Sequence, residues 1–512
     1  STRLVADLET PVSAYLKLTD GDGGAETGEA GGGDSAASQQ PAKAMSFLLE
    51  SVEGGTQRGR YSIIGCQPDI IWRAFGDRAQ INTDAQTHPD AFEDEDLPTL
   101  AALRQLLSTS ALDLPEHLPP MAAGVFGYMG YDTVRRIEAL PNVPPDHLGA
   151  PDALMMRPTL MVIFDAIKDD MTITTPVRPT TAHDASAAYE LARQRLGEAV
   201  AKLRGPLPQS AFVTTSTTTA PPPVSNTSEA RYLDMVRQAK ELIAAGDIFQ
   251  VVLAQRFSTP FTLPSFALYR SLRRLNPSPY LFHLDFGDVA LVGSSPEILV
   301  RVADDRVTIR PIAGTRPRGD DRPSDERFER DLVSDPKERA EHLMLLDLGR
   351  NDVGRVCKPG SVHVSEAFTV ERYSHVMHIV SNVVGELDRT RCDEVDALMA
   401  GFPAGTVSGA PKVRAMEVID ELEATKRGPY AGCVGYFSAD GTMDTCIVLR
   451  TGIIKDGQLH VQAGAGIVHD SVPANEQQEC INKAMAIVRA AEDAVAIASG
   501  ATPERPAGRQ GD

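Results

Sequence analysis

The order of local patterns along the chain limits its fold more than any other feature. Alternating or β-branched runs stand at 248–257 (IFQVVLAQRF), 289–293, 431–437 and 459–468, and helical periodicity at 228–245, 325–348, 392–399 and 475–497. The strand-like runs come in consecutive groups. Parallel neighbours need a crossover of a dozen or more residues, usually a helix, between them. A regular strand–helix alternation is missing, which argues against a Rossmann or barrel fold. The expected class is α+β: two packed antiparallel β-sheets flanked by helices.

Two breaks divide the chain. Residues 20–43 (DGDGGAETGEAGGGDSAASQQPAK) hold too few apolar groups to offset the entropy of ordering and read as a mobile surface loop. Residues 204–227 contain STTTAPPPV, an extended linker by composition. The expected organisation is a smaller unit over 1–203, a linker over 204–227, a larger unit over 228–495 and a flexible tail over 496–512. The net charge of -20 repels phosphate backbones and anionic headgroups, so nucleic acid and membrane surfaces are poor partners. Ser1 to Lys17 has no unbroken apolar core, so no signal peptide is expected there. The six cysteines are scattered without a Cys-x-x-Cys pair, which fits a reducing cytoplasm better than a disulfide or thiolate–metal framework.

The sharpest chemical pattern is DPKERAEHLMLLDLGRND at 335–352. Asp335 followed by Pro336 marks a helix start. Glu338 and Glu341 then lie three apart and point from one face, and Glu476 and Glu479 repeat the spacing early in the helix of PANEQQECINKA. Two such turns facing each other would form a hard-oxygen nest suited to Mg2+. Either pair alone is more often a helix-start signature, because the macrodipole favours acids there. A glycosidase acid–nucleophile pair is a weaker alternative. Sugar clefts want aromatic platforms, and aromatics are 5% here with one tryptophan, Trp72. Arg450, expected at the end of an apolar strand, Lys483 one helical turn past Glu479, and Gly464 and Gly466 in QAGAGIV are candidates for an anion site. The glycines lack the rest of a dinucleotide fingerprint.

Eight ordered blocks cover nearly all of the C-terminal unit: GDIFQVVLAQRF, NPSPYLFHLDFGDVALVGSSPEILVR, RPIAGTRPRG, DPKERAEHLMLLDLGRND, HVMHIVSNVVGEL, FPAGTVSGAPKVRAMEVIDELE, RGPYAGCVGYF and QAGAGIVHDSVPANEQQECINKA. Together they resemble the chorismate-utilising enzymes, and AMSFLLESVEGG and GVFGYMGYD in the N-terminal unit resemble the same family more loosely. The resemblance implies that fold, with 228–495 catalytic and 1–203 regulatory. It implies Mg2+ held by Glu341 and Glu479, with Glu338 and Glu476 binding directly or through water. Chorismate would be held by Thr406, Tyr430, Arg450, Lys483 and the backbone of Gly464, Ala465 and Gly466.

Two positions discriminate within the family. Members that add water carry a lysine where this chain has Gln250, and members that aminate C4 typically show PIKGT where this chain has Ala313 between Ile312 and Gly314. Ammonia attack at C2, giving anthranilate and pyruvate on the way to tryptophan, is the expected reaction. Glu297 would be the acid that helps the C4 hydroxyl leave, His378 would assist and Thr315 would position the ring. Leu49, Glu50, Ser51, Pro279, Tyr280 and Tyr436 match an element that binds the feedback inhibitor tryptophan. No cysteine stands in a Gly-x-Cys-x-Gly context, so a separate glutaminase subunit, and hence a hetero-oligomer, is implied. Amination at C4, and a catalytically dead tryptophan- or chorismate-binding regulator, stay open as alternatives.

Overall fold

Adjacent residues of one strand feed different cores. Phe47 and Leu48, Ile63 and Ile64, Leu281 and Phe282, and Leu291 and Val292 are all buried. In each pair one side chain (Phe47, Ile63, Phe282, Leu291) joins an inner cluster, and the other joins an outer one. Successive side chains of a strand point to opposite faces, so strands apolar at both parities must be covered on both. The outer cover comes from the helices Pro11–Thr19, Ala185–Arg204, Ser265–Leu275 and Pro473–Ala498. The inner cluster also takes Val434, Tyr436 and Cys446 from a second layer of strands.

The computed structural model describes residues 1–20, 45–51, 59–178, 184–215, 221–372 and 376–500. Among the described residues every ladder is antiparallel. The first layer runs Gln250–Pro260, Gln458–Ile467, Thr451–Lys455, Val289–Ser295, Tyr280–Asp285, Ser46–Glu50, Tyr61–Phe75 and Ala153–Asp165. The last two strands are long, with a register shift between Pro68 and Ile70, and they carry the ladder into the second layer. There Ala153–Asp165 meets Gly124–Met129, followed by Cys433–Ser438, Met443–Ile447, Ile298–Ala303, Arg306–Ile309 and Val376–Glu386. Val376–Glu386 also pairs with Ile312–Pro317 and His363–Arg372. The expected sandwich is therefore a single hydrogen-bonded sheet folded over on itself.

Several boundaries differ from the sequence expectation. The helix read over 325–348 is two, Arg322–Ser334 and Pro336–Gly354, because Pro336 brings no N–H and Asp335 caps the second through Lys337 N at 2.9 Å. The last helix continues to Ala498, into the segment read as tail, because Ala494, Val495 and Ala498 extend its buried stripe. Within 204–227, Val224–Ser225 pairs with the 250–260 strand, and Thr215 N donates to Ala498 O. The strands of 1–203 share ladders with those of 228–495, at 46–50 against 280–285 and at 124–129 against 433–438. The loop read over 20–43 lies outside the described residues beyond Asp20, as does the tail from 501. Among the described residues no helix is long and apolar enough to cross a membrane.

Candidate active site

Two further connections pass between the layers, and the site lies beside them. One joins Val289–Ser295 to Ile298–Ala303 through Pro296 and Glu297, and the other joins Met443–Ile447 to Thr451–Lys455 through residues 448–450. They run side by side: Ile447 N donates to Glu297 O at 3.0 Å and Ser294 N to Arg450 O at 3.2 Å. Arg450 therefore stands three residues past its strand, not at its end, in the left-handed region with φ 48°. Such a conformation is costly for a residue with a Cβ and persists only where its surroundings enforce it.

Glu297 is buried, and burial pushes its carboxyl up to about 8. Thr406 Oγ1 donates to its Oε1 at 3.0 Å, and this bond and the charge of Arg450 lower the value only in part. Thr406 sits on the 3-10 turn Gly405–Val407. The fully buried Arg427 holds that turn, donating to Val407 O at 2.7 Å and to Val252 O at 2.7 Å. Glu423 binds Arg427 Nε at 3.0 Å and accepts from Ala254 N at 2.8 Å. The Arg427–Glu423 pair thus locks three segments behind the site.

On the neighbouring ladder Gly466 pairs with Val252, Ala465 with Leu253 and Gly464 with Ala254. A Cβ on Gly466 would lie 2.8 Å from Gln250 Nε2, so the amide occupies the space that the glycine leaves. The buried hydroxyl of Tyr430 bonds the Gly464 backbone. Lys483 Nζ donates to Gly464 O at 3.0 Å and pairs with Glu479 at 2.7 Å.

The acidic turns of 336–354 and 473–498 do approach each other. Glu341 is pushed up first by burial, then by Glu338, with Glu479 contributing. Glu476 is pushed up by burial and by Glu479, and Lys337 acts on both in the opposite sense. Gln250 Nε2 reaches Glu341 Oε1 at 3.4 Å, while the buried Gln250 Oε1 has no hydrogen-bond partner. Among the described residues no three His, Cys, Asp or Glu side chains are gathered closely enough to hold a metal ion. On the facing strand His378 Nδ1 lies 2.9 Å from Gly314 O and 3.1 Å from Thr315 Oγ1. The carbonyl can only accept, which puts the proton on Nδ1. Burial keeps this imidazole below its ordinary range, and the charge of Arg450 adds to that.

A separate cavity collects Leu49, Glu50, Ser51, Pro279, Tyr280 and Tyr436, with Arg301 and Asp444 at 3.5 Å from each other. Glu50 is already engaged, accepting from Arg273 Nε at 2.6 Å and from Tyr269 at 2.5 Å. Arg316, Arg427 and Glu423 were not singled out from the sequence. Arg427 and Glu423 pair four residues apart, but the backbone groups they hold, at Val407, Val252 and Ala254, and the carboxylates around Arg316 come from other segments, and only presence inside the matched blocks could have flagged them.

The folded-over sheet brings a buried acid at the crossing and two acidic helix starts to one region of the molecule. The chain belongs to the chorismate binding enzyme family, which it matches over residues 47–489. Within that family its relatives include anthranilate synthase component 1 of Cereibacter sphaeroides, 51% identical over 96% of this chain and 94% of that one. The Pseudomonas putida protein of the same name is 46% identical over 95% and 93%. The solved anthranilate synthase component I from Streptococcus pneumoniae superposes with a TM-score of 0.72 at 38% identity, over 85% of this chain and 94% of that one. An isochorismate synthase from Escherichia coli, 20% identical with a TM-score of 0.68 over 96% and 94%, shares the fold.

Proposed function

We propose that this chain is the chorismate-binding component of an anthranilate synthase, adding ammonia to C2 of chorismate and releasing water, pyruvate and anthranilate. The observation that carries the reading is Glu297, a carboxyl that burial keeps protonated near neutral pH beside Thr406 and Arg450. Loss of the C4 hydroxyl needs a proton, and an acid with a value near the working pH is suited to give it. As ammonia forms its bond at C2, both ring double bonds shift by one position, the C4–O bond breaks and the oxygen leaves as water with the proton of Glu297, while the new ammonium gives up a proton. Loss of the C2 proton with cleavage of the C3–O bond then releases the enolpyruvyl group as pyruvate and aromatises the ring. The Gln250 amide cannot deprotonate water as a lysine could, which suits ammonia, a nucleophile that needs no base to activate it. Ala313 has no amine to attack the ring. We read Lys483, Tyr430, Arg450 and the Gly464–Gly466 backbone as the groups that would hold a carboxylate of the substrate.

The chemistry of the donor set suits a divalent cation, which would have to draw together carboxylates that stand apart here. Four glutamates from two helix starts, the upward shifts of Glu341 and Glu476, and the orphaned buried oxygen of Gln250 all favour positive charge there. Glu341 and Glu479 are the residues that would hold Mg2+, with Glu476 and Glu338 reaching it directly or through water. When bound it would neutralise the ring carboxylate and fix the substrate. We further read the cavity around Ser51 and Pro279 as the place for tryptophan, and the chain as needing a glutaminase partner for ammonia. The relatives' designation as component 1 supports a second component.

The test uses the purified chain with chorismate, Mg2+ and ammonium salt at alkaline pH. Anthranilate fluorescence, reduced by tryptophan and absent when glutamine replaces ammonium, is expected. A product aminated at C4 would overturn the regiochemistry, and chorismate binding without turnover would identify a regulator.

A further inference from the structure

Each acidic turn carries one glutamate already joined to a cation. Arg316 Nη1 donates to Glu338 Oε1 at 3.0 Å and to Thr315 O at 3.0 Å. Its Nη2 donates to Asp335 Oδ2 at 2.7 Å and its Nε to Asp331 Oδ2 at 2.6 Å. All three nitrogens are engaged, so the plane of the guanidinium is fixed. Asp335 is the N-cap of the 336–354 helix, so Arg316 ties the 312–317 strand to the turn that presents the glutamates. The other oxygen of Glu338 lies against Gly314, where φ is 70° and a Cβ would sit 3.0 Å from Oε2. Glu338 is thus seated in a slot between Arg316 and Gly314. On the opposite helix Lys483 takes Glu479 at 2.7 Å. Among the described residues no ion pair holds Glu341 or Glu476.

We propose that Arg316 is a positioning residue that withholds Glu338 from direct contact with the metal, leaving part of the metal's shell open for a substrate carboxylate. The inference rests on the divalent-cation reading of the four glutamates. Mg2+ dehydrates reluctantly and is usually held by one or two carboxylates with water and substrate completing its shell. Four glutamates bound directly would close that shell and leave an excess of negative charge facing a dianion. Lys483 and Arg316, the latter shared with Asp331 and Asp335, offset part of the charge of the four glutamates, so less negative charge faces the incoming substrate.

A double-mutant cycle on the full chain, read as the Mg2+ dissociation constant by calorimetry without substrate, tests this. Glu341→Gln is expected to weaken Mg2+ binding at least tenfold, and Glu338→Gln in the parent to change it less than about twofold. Arg316→Gln removes a positive charge and frees Glu338, so it is expected to tighten Mg2+ roughly fivefold while raising KM for chorismate. Glu338→Gln added to Arg316→Gln should reverse the tightening. Arg316→Lys keeps the charge without the fork and should fall between, which guards against a folding defect in the glutamine variant. Tenfold weakening by Glu338→Gln in the parent, or strict additivity in the cycle, overturns the inference. Unchanged binding in Glu341→Gln overturns instead the metal reading beneath it.

Discussion

Replacing Glu297 with glutamine separates its chemical role from its cost to the fold. Its carboxyl rises from 4.5 to about 8 on folding, mainly through burial. A carboxyl whose value is raised in the native state binds more protons there than when unfolded, so stability falls as pH climbs from 4.5 to about 8 and levels off above. At about 1.4 kcal/mol per pH unit, that span is roughly 5 kcal/mol of stability lost at alkaline pH relative to acid. Glutamine keeps the shape and an acceptor for Thr406 but cannot ionise. Glu297→Gln is therefore expected to lose kcat by roughly 10²–10⁴. Its urea midpoint should gain on the parent steadily from pH 5 to about 8 and no further above that. Anthranilate fluorescence at a fixed concentration of free ammonia gives the first reading, and urea unfolding across pH the second. In the parent, the acid-dependent limb of activity should decline as pH passes about 8, where Glu297 ionises. Near-normal turnover of the variant would refute the acid assignment. A stability gap that does not change with pH would refute the burial argument behind it.

Three other outcomes follow from contacts already described. Arg427→Met leaves Glu423 buried without its partner and should cost about 3–5 kcal/mol by denaturant unfolding; a loss below about 1 kcal/mol would mean the pair locks nothing. Gly466→Ala puts a Cβ 2.8 Å from Gln250 Nε2, the end of a movable side chain, so the fold should hold while turnover drops; equal melting temperature with unchanged kcat would count against a role for the amide. Ser51→Phe fills the cavity lined by Pro279 and Tyr280 and should raise the tryptophan concentration for half-inhibition more than tenfold with little change in kcat. An unchanged inhibition curve would remove tryptophan from that cavity.

How legible this molecule was in its sequence depended on whether a feature is local. Asp335 and Pro336 announced a helix start because capping chemistry involves neighbours, and the paired glutamates were visible because helical geometry fixes residues three apart on one face. Periodicity located the strands at 250–260, 289–295 and 458–467 within a few residues. The fold-over of the sheet was not legible, since the register shift between Pro68 and Ile70 leaves no clear mark in the pattern of apolar residues. Glu50 illustrates the same limit: the motif that marks it says nothing of Arg273 and Tyr269, which lie more than two hundred residues away and take both its oxygens. Arg316 was hidden for that reason too, since Asp331, Asp335 and Glu338 converge on it only after two helices and a strand have packed.

The position of the acid follows from the architecture. Within a ladder every backbone group is spoken for and side chains alternate strictly between faces, so a carboxyl there must face a core or solvent. Where strands leave one layer for the other, the alternation breaks. Glu297 and Arg450 lie in two such connections, which cross side by side and hold each other through backbone hydrogen bonds. A crossing therefore permits what a regular strand does not: a buried carboxyl with one side-chain donor, Thr406, and a cation close enough to bias it without neutralising it outright. That placement destabilises the ionised form, and the surroundings that tolerate it are the tightly bonded ones behind it, where Arg427 and Glu423 tie the Thr406 turn to the 250–260 strand. On this argument, loosening the Arg427 lock should lower the value at which Glu297 ionises, because a turn free to move lets water reach the carboxyl.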